Sequence, residues 1–393
     1  MHFFVRAYPR AVRRLLVLVS SIIFVDAMLF TALTPLVPEY AREFDLSTFG
    51  AGLLVGAFGA GAILGGVPGG LAAARFGPKS AVVAGLALLA VASFAFAFAG
   101  SAETLVAARL VQGFASTTTW AGALAWIAME TPRERRGAVL GTAFGAAVFG
   151  AVIGPVFGAL ADAVGVRVSF VTVGVVALVF AVGASIPRSS RREAIAGAGV
   201  SRAFHDLRFV GGLWLNALPA FLFGMLIVLS PLALADEGWS TFAIASVFFV
   251  MLSLEAIVNP FIGRLSDRAG PLLPTRVALA ASVVVTAGLA AASGAAAIAA
   301  LVVVAGASFG GLYAPGMSVT SRRADAVGLA QGLAFGIMNS AWALGALAGP
   351  VLGGAVADVI GDGVPYLLGT VACLLTLVAT LRLAPRKAGA HAT

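Results

Sequence analysis

Apolar residues in this chain neither alternate with polar ones, as in a half-buried strand, nor keep to one face, as in an amphipathic helix; they continue in near-unbroken blocks. The blocks lie near residues 15–38, 47–73, 79–99, 104–128, 138–161 and 168–186, then near 209–234, 241–263, 273–293, 296–317, 328–356 and 364–383. About 20 apolar residues in helix cross the roughly 30 Å of bilayer hydrocarbon. The pattern therefore predicts an all-α integral membrane protein of twelve transmembrane helices, the longer ones tilted or protruding. Short connections with Gly, Pro and Asp separate most blocks, among them Gly77-Pro78, Asp236-Glu237-Gly238 and Gly361-Asp362-Gly363. The stretch 187–207 is longer and polar, and it predicts two six-helix bundles, 1–186 and 208–393, with 187–207 as a cytoplasmic linker.

Matching motifs recur in the two halves. Gly70-x4-Arg75-x-Gly77-Pro78 follows the second block, and Gly263-x3-Asp267-Arg268-x-Gly270-Pro271 follows the eighth, 193 residues later. The fifth block holds Gly150-x3-Gly154-Pro155-x2-Gly158, and the eleventh holds Gly345-x3-Gly349-Pro350-x2-Gly353, 195 residues later. Two independent pairs at nearly one offset imply a duplicated six-helix unit, and an even number of crossings leaves both copies in the same orientation.

Composition narrows the picture further. The chain has 393 residues, 60% of them hydrophobic and 11% charged, and a mean hydropathy of +1.03. An ordinary soluble domain is roughly 25% charged, so a soluble enzyme, a nucleic-acid binder and a disordered protein are all excluded. The net charge of +8 sits in loops: every Lys and Arg except Arg42, Arg109 and Arg167 falls on the side of the linker and both termini. The positive-inside bias assigns that side to the cytoplasm of a multi-pass cell-membrane protein, where the charge faces anionic lipid. Residues 13–38 read as a retained span, because the run is long, contains Asp26 and lacks a small-x-small cleavage site. Cys373 has no second cysteine to pair with, and His2, His205 and His391 lack metal-ligand spacing, so neither a metal nor a cofactor is expected.

The Gly-x3-[Asp/Ala]-Arg-x-Gly-Pro turn in both halves, Arg109-Leu110-Val111-Gln112-Gly113, and the glycine-proline runs of the fifth and eleventh blocks resemble the major facilitator superfamily over essentially the whole length. Asp26 with Pro35 and Pro38 is similar to the first helix of its drug:proton antiporter and vesicular amine transporter branch. The resemblance implies two parallel six-helix pseudo-repeats, alternating access, and a central cavity lined by the first, fourth, seventh and tenth helices. It implies a single chain as the working unit. Ala74 stands where the family turn carries an acid, and Ser230 and Asn339 stand where the amine transporters carry acids, so amine specificity is not implied.

Physical roles follow for these residues. Glycines allow tight turns and close helix contact, and Asp267 is placed to accept from a helix N-terminus and latch the halves together. Pro155 and Pro350 each remove one backbone hydrogen bond and permit bending at the half-to-half interface. Asp26, Arg109 and Glu255 lie within spans, where an ionisable side chain costs roughly 2.5–3.5 kcal/mol on insertion scales and marks a functional site. They are the candidates for proton coupling, while Asp162 and Asp358 read as solvated span ends. Trp120, Asn216, Phe223, Tyr313, Asn339 and Trp342 are, with Asp26, the candidate cavity lining, since aromatics beside a carboxylate suit a cation with an apolar body. The leading expectation is a proton-coupled exporter of a small cationic or amphipathic molecule. A symporter importing a sugar, organic acid or other nutrient is the alternative. No catalytic constellation supports an enzyme or receptor.

Overall fold

In the computed structural model, described for residues 10–132, 135–186, 200–329 and 331–382, helices carry the whole architecture and no strand occurs among the described residues. Residues 187–199 of the linker, together with Arg6, Arg133, Arg386 and Lys387, lie outside the described residues. The first span, Arg10–Ala32, continues through the turn Thr34–Leu36 into Val37–Glu43. Then follow Thr48–Phe76, Pro78–Ala97, Ala102–Glu130, Arg136–Val164 and Val166–Ser185 as the second to sixth. After a short helix, Val200–His205, the seventh to ninth are Leu207–Asp236, Thr241–Ala269 and Leu272–Ala291. The tenth is broken into Ala295–Gly310 and Tyr313–Ala326; the eleventh and twelfth are Gln331–Ile360 and Gly363–Leu381.

Local chemistry sets these ends. Ser47, Ser101 and Ser240 accept from the amides of Gly50, Thr104 and Ala243, and Asp206 accepts from those of Arg208 and Phe209, relieving the unpaired first turn of the second, fourth, eighth and seventh spans. Gly77 (φ +95°) and Gly270 (φ +80°) end the second and eighth spans in a conformation that side chains disfavour, and Pro78 and Pro271 restart the chain. The expected spans agree within a few residues, except that the first runs about one and a half turns further at each end, the eighth about as much at its C-terminal end, and the tenth about two and a half turns there. Among the described residues eleven segments are apolar and long enough to cross a membrane. The fourth span falls outside that set because it carries Arg109, Gln112 and the run Thr117-Thr118-Thr119, all buried against other helices.

Packing repeats between the halves. A methyl on Gly150 or Gly158 would collide with the carbonyls of Phe24 or Ala32, so the fifth span lies on the first. A methyl on Gly345 or Gly349 would collide with those of Ala217 or Phe221, so the eleventh lies on the seventh. Thr31 Oγ1 adds a 2.8 Å bond to the Ala151 carbonyl. The same holds between the second and fourth spans at Gly61 and Gly113, and between the eighth and tenth at Gly306, while at Gly310 the neighbour is the Glu255 side chain. One apolar cluster draws almost wholly on the first half and a second on the seventh to twelfth spans.

Contact between the halves runs from the end away from the linker to mid-depth, where a Cβ on Gly66 would lie 3.8 Å from Ser340 Oγ and Trp342 meets Phe30. Towards the far end Gly52, Gly56 and Gly59 press on Ala343, Leu347, Pro350 and Val351, while Gly354 presses on Thr48. Asp358 seals this end: its Oδ1 and Oδ2 accept from the amides of Thr48 and Phe49, each at 2.9 Å. Towards the linker, Gly70, Gly141, Gly145, Gly263 and Gly336 have open space where a Cβ would be. The bundle is shut at the far end.

Candidate functional site

The broken tenth span and the small residues of the second and fourth bring the buried charges to mid-depth. Asp26, 4% exposed, points from the first span into the fourth. Its Oδ2 accepts from Ser116 Oγ at 2.7 Å and from Trp120 Nε1 at 2.8 Å. Ser116 and Trp120 are one helical turn apart, so both face the same carboxylate. Arg109, 2% exposed, lies two turns away from Ser116 on the fourth span; its NH1 donates to Gln112 Oε1 at 2.8 Å and its guanidinium stacks 5.1 Å from the Phe58 ring. Among the described residues its Nε has no hydrogen-bond partner, nor has the buried hydroxyl of Tyr40. Arg109 and Asp26 feel each other's charge without forming an ion pair.

In the second half Glu255 leans on the bare backbone of Gly310 and takes a 3.4 Å bond from Asn259 Nδ2. Tyr313, in reach of Glu255's charge and beside Trp342, stacks on Phe223 at 6.4 Å. Phe309 meets Phe223 edge-on at 5.4 Å. Rings bridge the two halves: Trp342 lies 5.4 Å from Phe30, and Phe30 4.8 Å from Phe58. One continuous band thus joins Glu255 to Arg109 through Tyr313, Trp342, Phe30 and Phe58.

The structure brings together Asp26, Arg109, Trp120, Phe223, Glu255, Tyr313 and Trp342. It does not bring in Asn216, whose Nδ2 donates to the Gly212 carbonyl and packs under Gly316, nor Asn339, which is exposed. Phe30, Phe58, Ser116 and Phe309 escaped the sequence reading, because Phe and Ser carry no signal of their own in an apolar run. Ser230, in place of an acid, is buried and bonded to Tyr366 at 2.9 Å. Asp26 has two fixed partners, Ser116 and Trp120. Asp267 was expected to latch the halves; it is exposed and makes no hydrogen bond or ion pair among the described residues, and Arg75 and Arg268 beside the two turns are exposed too. The latch is made at the opposite end by Asp358, which was expected to be merely solvated. The fifth-span glycines Gly150, Gly154 and Gly158 seal against the first span inside one half rather than between halves, whereas Pro350 of the eleventh does reach across to Gly52. No cluster able to hold a metal occurs among the described residues.

The family profile of the Major Facilitator Superfamily matches residues 19–334. Curated relatives include MFS-type transporter ppzB of Metarhizium majus, 30% identical over 128 residues, and its counterpart in Metarhizium rileyi, 30% identical over 135. These matches take in 31% and 33% of the chain but 28% of each relative's length. The fold is similar to that of a bacterial homologue of the human lysosomal transporter Spinster in an inward-facing, unoccupied conformation: TM-score 0.75, 17% identity, covering 95% of this chain and 96% of that one. It is similar also to the nucleoside transporter NupG: TM-score 0.73, 14% identity, 94% and 98% covered.

Proposed function

The chain belongs to the Major Facilitator Superfamily, and within it we propose a secondary active transporter that exports a small cationic or amphipathic molecule in exchange for protons. The observation carrying this reading is the sealed carboxylate of Asp26, placed between two helices of one half and close to the band of rings that crosses to the other. Both its hydrogen bonds fall on Oδ2, which leaves Oδ1 as the oxygen for a proton. A proton there cancels the attraction of Arg109 and weakens the bonds from Ser116 and Trp120, loosening the first span from the fourth. Rocking of the halves then exposes the site alternately. With the linker side in the cytoplasm, cargo is loaded from within and protons enter from the far side. Exchange of one proton for one monovalent cation moves no net charge, so the pH difference drives it: at roughly 1.4 kcal/mol per decade, each unit of pH difference supports a cargo ratio of about ten.

Proteoliposomes with an imposed pH gradient test the reading. Cargo moving against the proton flux supports it. Cargo moving with the protons makes the protein a symporter, and flux indifferent to the gradient removes proton coupling altogether.

A further inference from the structure

Of the two acids at mid-depth, Glu255 is the less enclosed. Asp26 is sealed and doubly bonded, whereas Glu255, Asn259, Phe223, Tyr313 and Trp342 are all half-buried. Glu255 has one long hydrogen bond, and among the described residues no cation stands within ion-pair distance of it. Gly310 is what lets it lie here, since a methyl at that position would stand 2.6 Å from its Oε1. One turn further on, Tyr313 presents its ring parallel to that of Phe223, at 11°.

We propose that Glu255, Phe223 and Tyr313 form the docking site for the cargo's positive group, and that the cargo is an amphipathic cation with an aromatic or similarly flat body. The identity of the cargo as an exported cation rests on the reading above; the site itself rests on these contacts. An intramembrane carboxylate without a cation is costly, and a cationic ligand removes that cost. The negative faces of the two rings add attraction for the same charge, and their area accommodates the apolar body. An anion of identical shape meets Glu255 as a like charge and is rejected. Asp26, already satisfied by Ser116 and Trp120, is left to the proton. Binding and coupling are thus divided between the halves.

The test is equilibrium binding of radiolabelled tetraphenylphosphonium to the purified full chain in nanodiscs of neutral lipid, with no gradient. Radiolabelled tetraphenylborate, of the same shape and opposite charge, is tested in a separate sample, because the two ions pair with each other. Expected are saturable binding of tetraphenylphosphonium but not of tetraphenylborate, a loss of at least about tenfold in Glu255→Gln, and a smaller loss in Tyr313→Leu. The proposal is overturned by absence of saturable tetraphenylphosphonium binding to the native chain, by equal saturable binding of tetraphenylborate, or by native affinity in Glu255→Gln. Should Glu255→Gln fail to fold, the comparison of the two ions on the native protein and Glu255→Asp, which keeps the charge and is expected to keep binding, decide it. Because no gradient is present, binding that depends on Glu255 in a protein without proton-driven flux upholds this site and overturns only the exchange reading; exchange that persists without cation binding does the reverse.

Discussion

Asp26 and Glu255 occupy the interiors of the two halves, and the halves treat them in opposite ways. The first half surrounds its acid with Ser116, Trp120 and the nearby Arg109 and closes it off; the second half leaves its acid half-buried with a single long bond to Asn259. The supporting helices are packed alike: glycines of the fifth span sit on the first as those of the eleventh sit on the seventh. A duplicated scaffold has therefore kept its backbone contacts and diverged in its chemistry. Backbone-to-backbone packing tolerates no added atom, while side chains lining a partly open space can change without unseating a helix.

If the scaffolds are equivalent, Gly154→Leu and Gly349→Leu should be equally damaging. Each places a side chain against the backbone of its partner span, and each should cost about 3 kcal/mol or more and abolish folded protein on size exclusion. A folded variant in one half alone would break the equivalence. The chemistry should then separate. Asp26→Asn keeps shape and packing but cannot exchange a proton; gradient-driven flux should fall by about 100-fold or more while the melting temperature stays nearly constant. Undiminished flux would remove Asp26 from coupling. Trp120→Phe sharpens the contrast by deleting one of the two bonds to Asp26 while retaining a ring. A hydrogen bond to a charged group is worth about 1.5–3 kcal/mol, and proton-driven flux should drop by about tenfold with tetraphenylphosphonium binding unaltered.

A weaker effect is expected at the far end. Asp358 caps the second span across the halves, and Asp162 ends the fifth span at nearly the same place in the repeat, yet Asp162 makes no such bond and faces Glu39 instead. The motif offset of 195 pairs Asp162 with Ala357, so Asp358 is one residue later, a rotation of about 100° around the helix. Asp358→Asn removes a charge from a helix N-terminus, worth about 0.3–1 kcal/mol, and should raise the far-end-open population two- to fivefold, read as spin-label distances between the second and eleventh spans. The smallest change concerns the start of the second half. Hydrogen bonding from Arg323 and from the amides of Arg208 and Phe209 holds the Asp206 carboxyl below the usual carboxylate range. A lowered folded value means that the cap is present at neutral pH and is lost only as pH falls through that value, below about 4. Hydrogen exchange at Arg208 and Phe209 should quicken there, and Asp206→Asn should abolish the pH dependence.

Much of this was legible beforehand. The spans, the duplication and the family could be read because apolar runs of bilayer length and repeated Gly-Pro spacings are local signals. Asp26, Arg109 and Glu255 stood out because charge is rare in such runs. Phe30, Phe58 and Ser116 did not, since their importance lies in which rings and hydroxyls they meet from other helices. Asp267 and Asp358 both end helices, and only the way the halves tilt decides which one finds a helix N-terminus within reach.

The sequence by itself determined that the chain crosses a membrane many times as two copies of one unit, because the cost of leaving backbone and charge in hydrocarbon acts residue by residue along the chain. Only the tertiary structure decided which acid is enclosed and which is half-buried, and where the halves meet. Those outcomes depend on groups far apart in the chain arriving within 3 Å, as the Asp358 carboxylate and the Thr48 amide do, and no local preference specifies such an encounter.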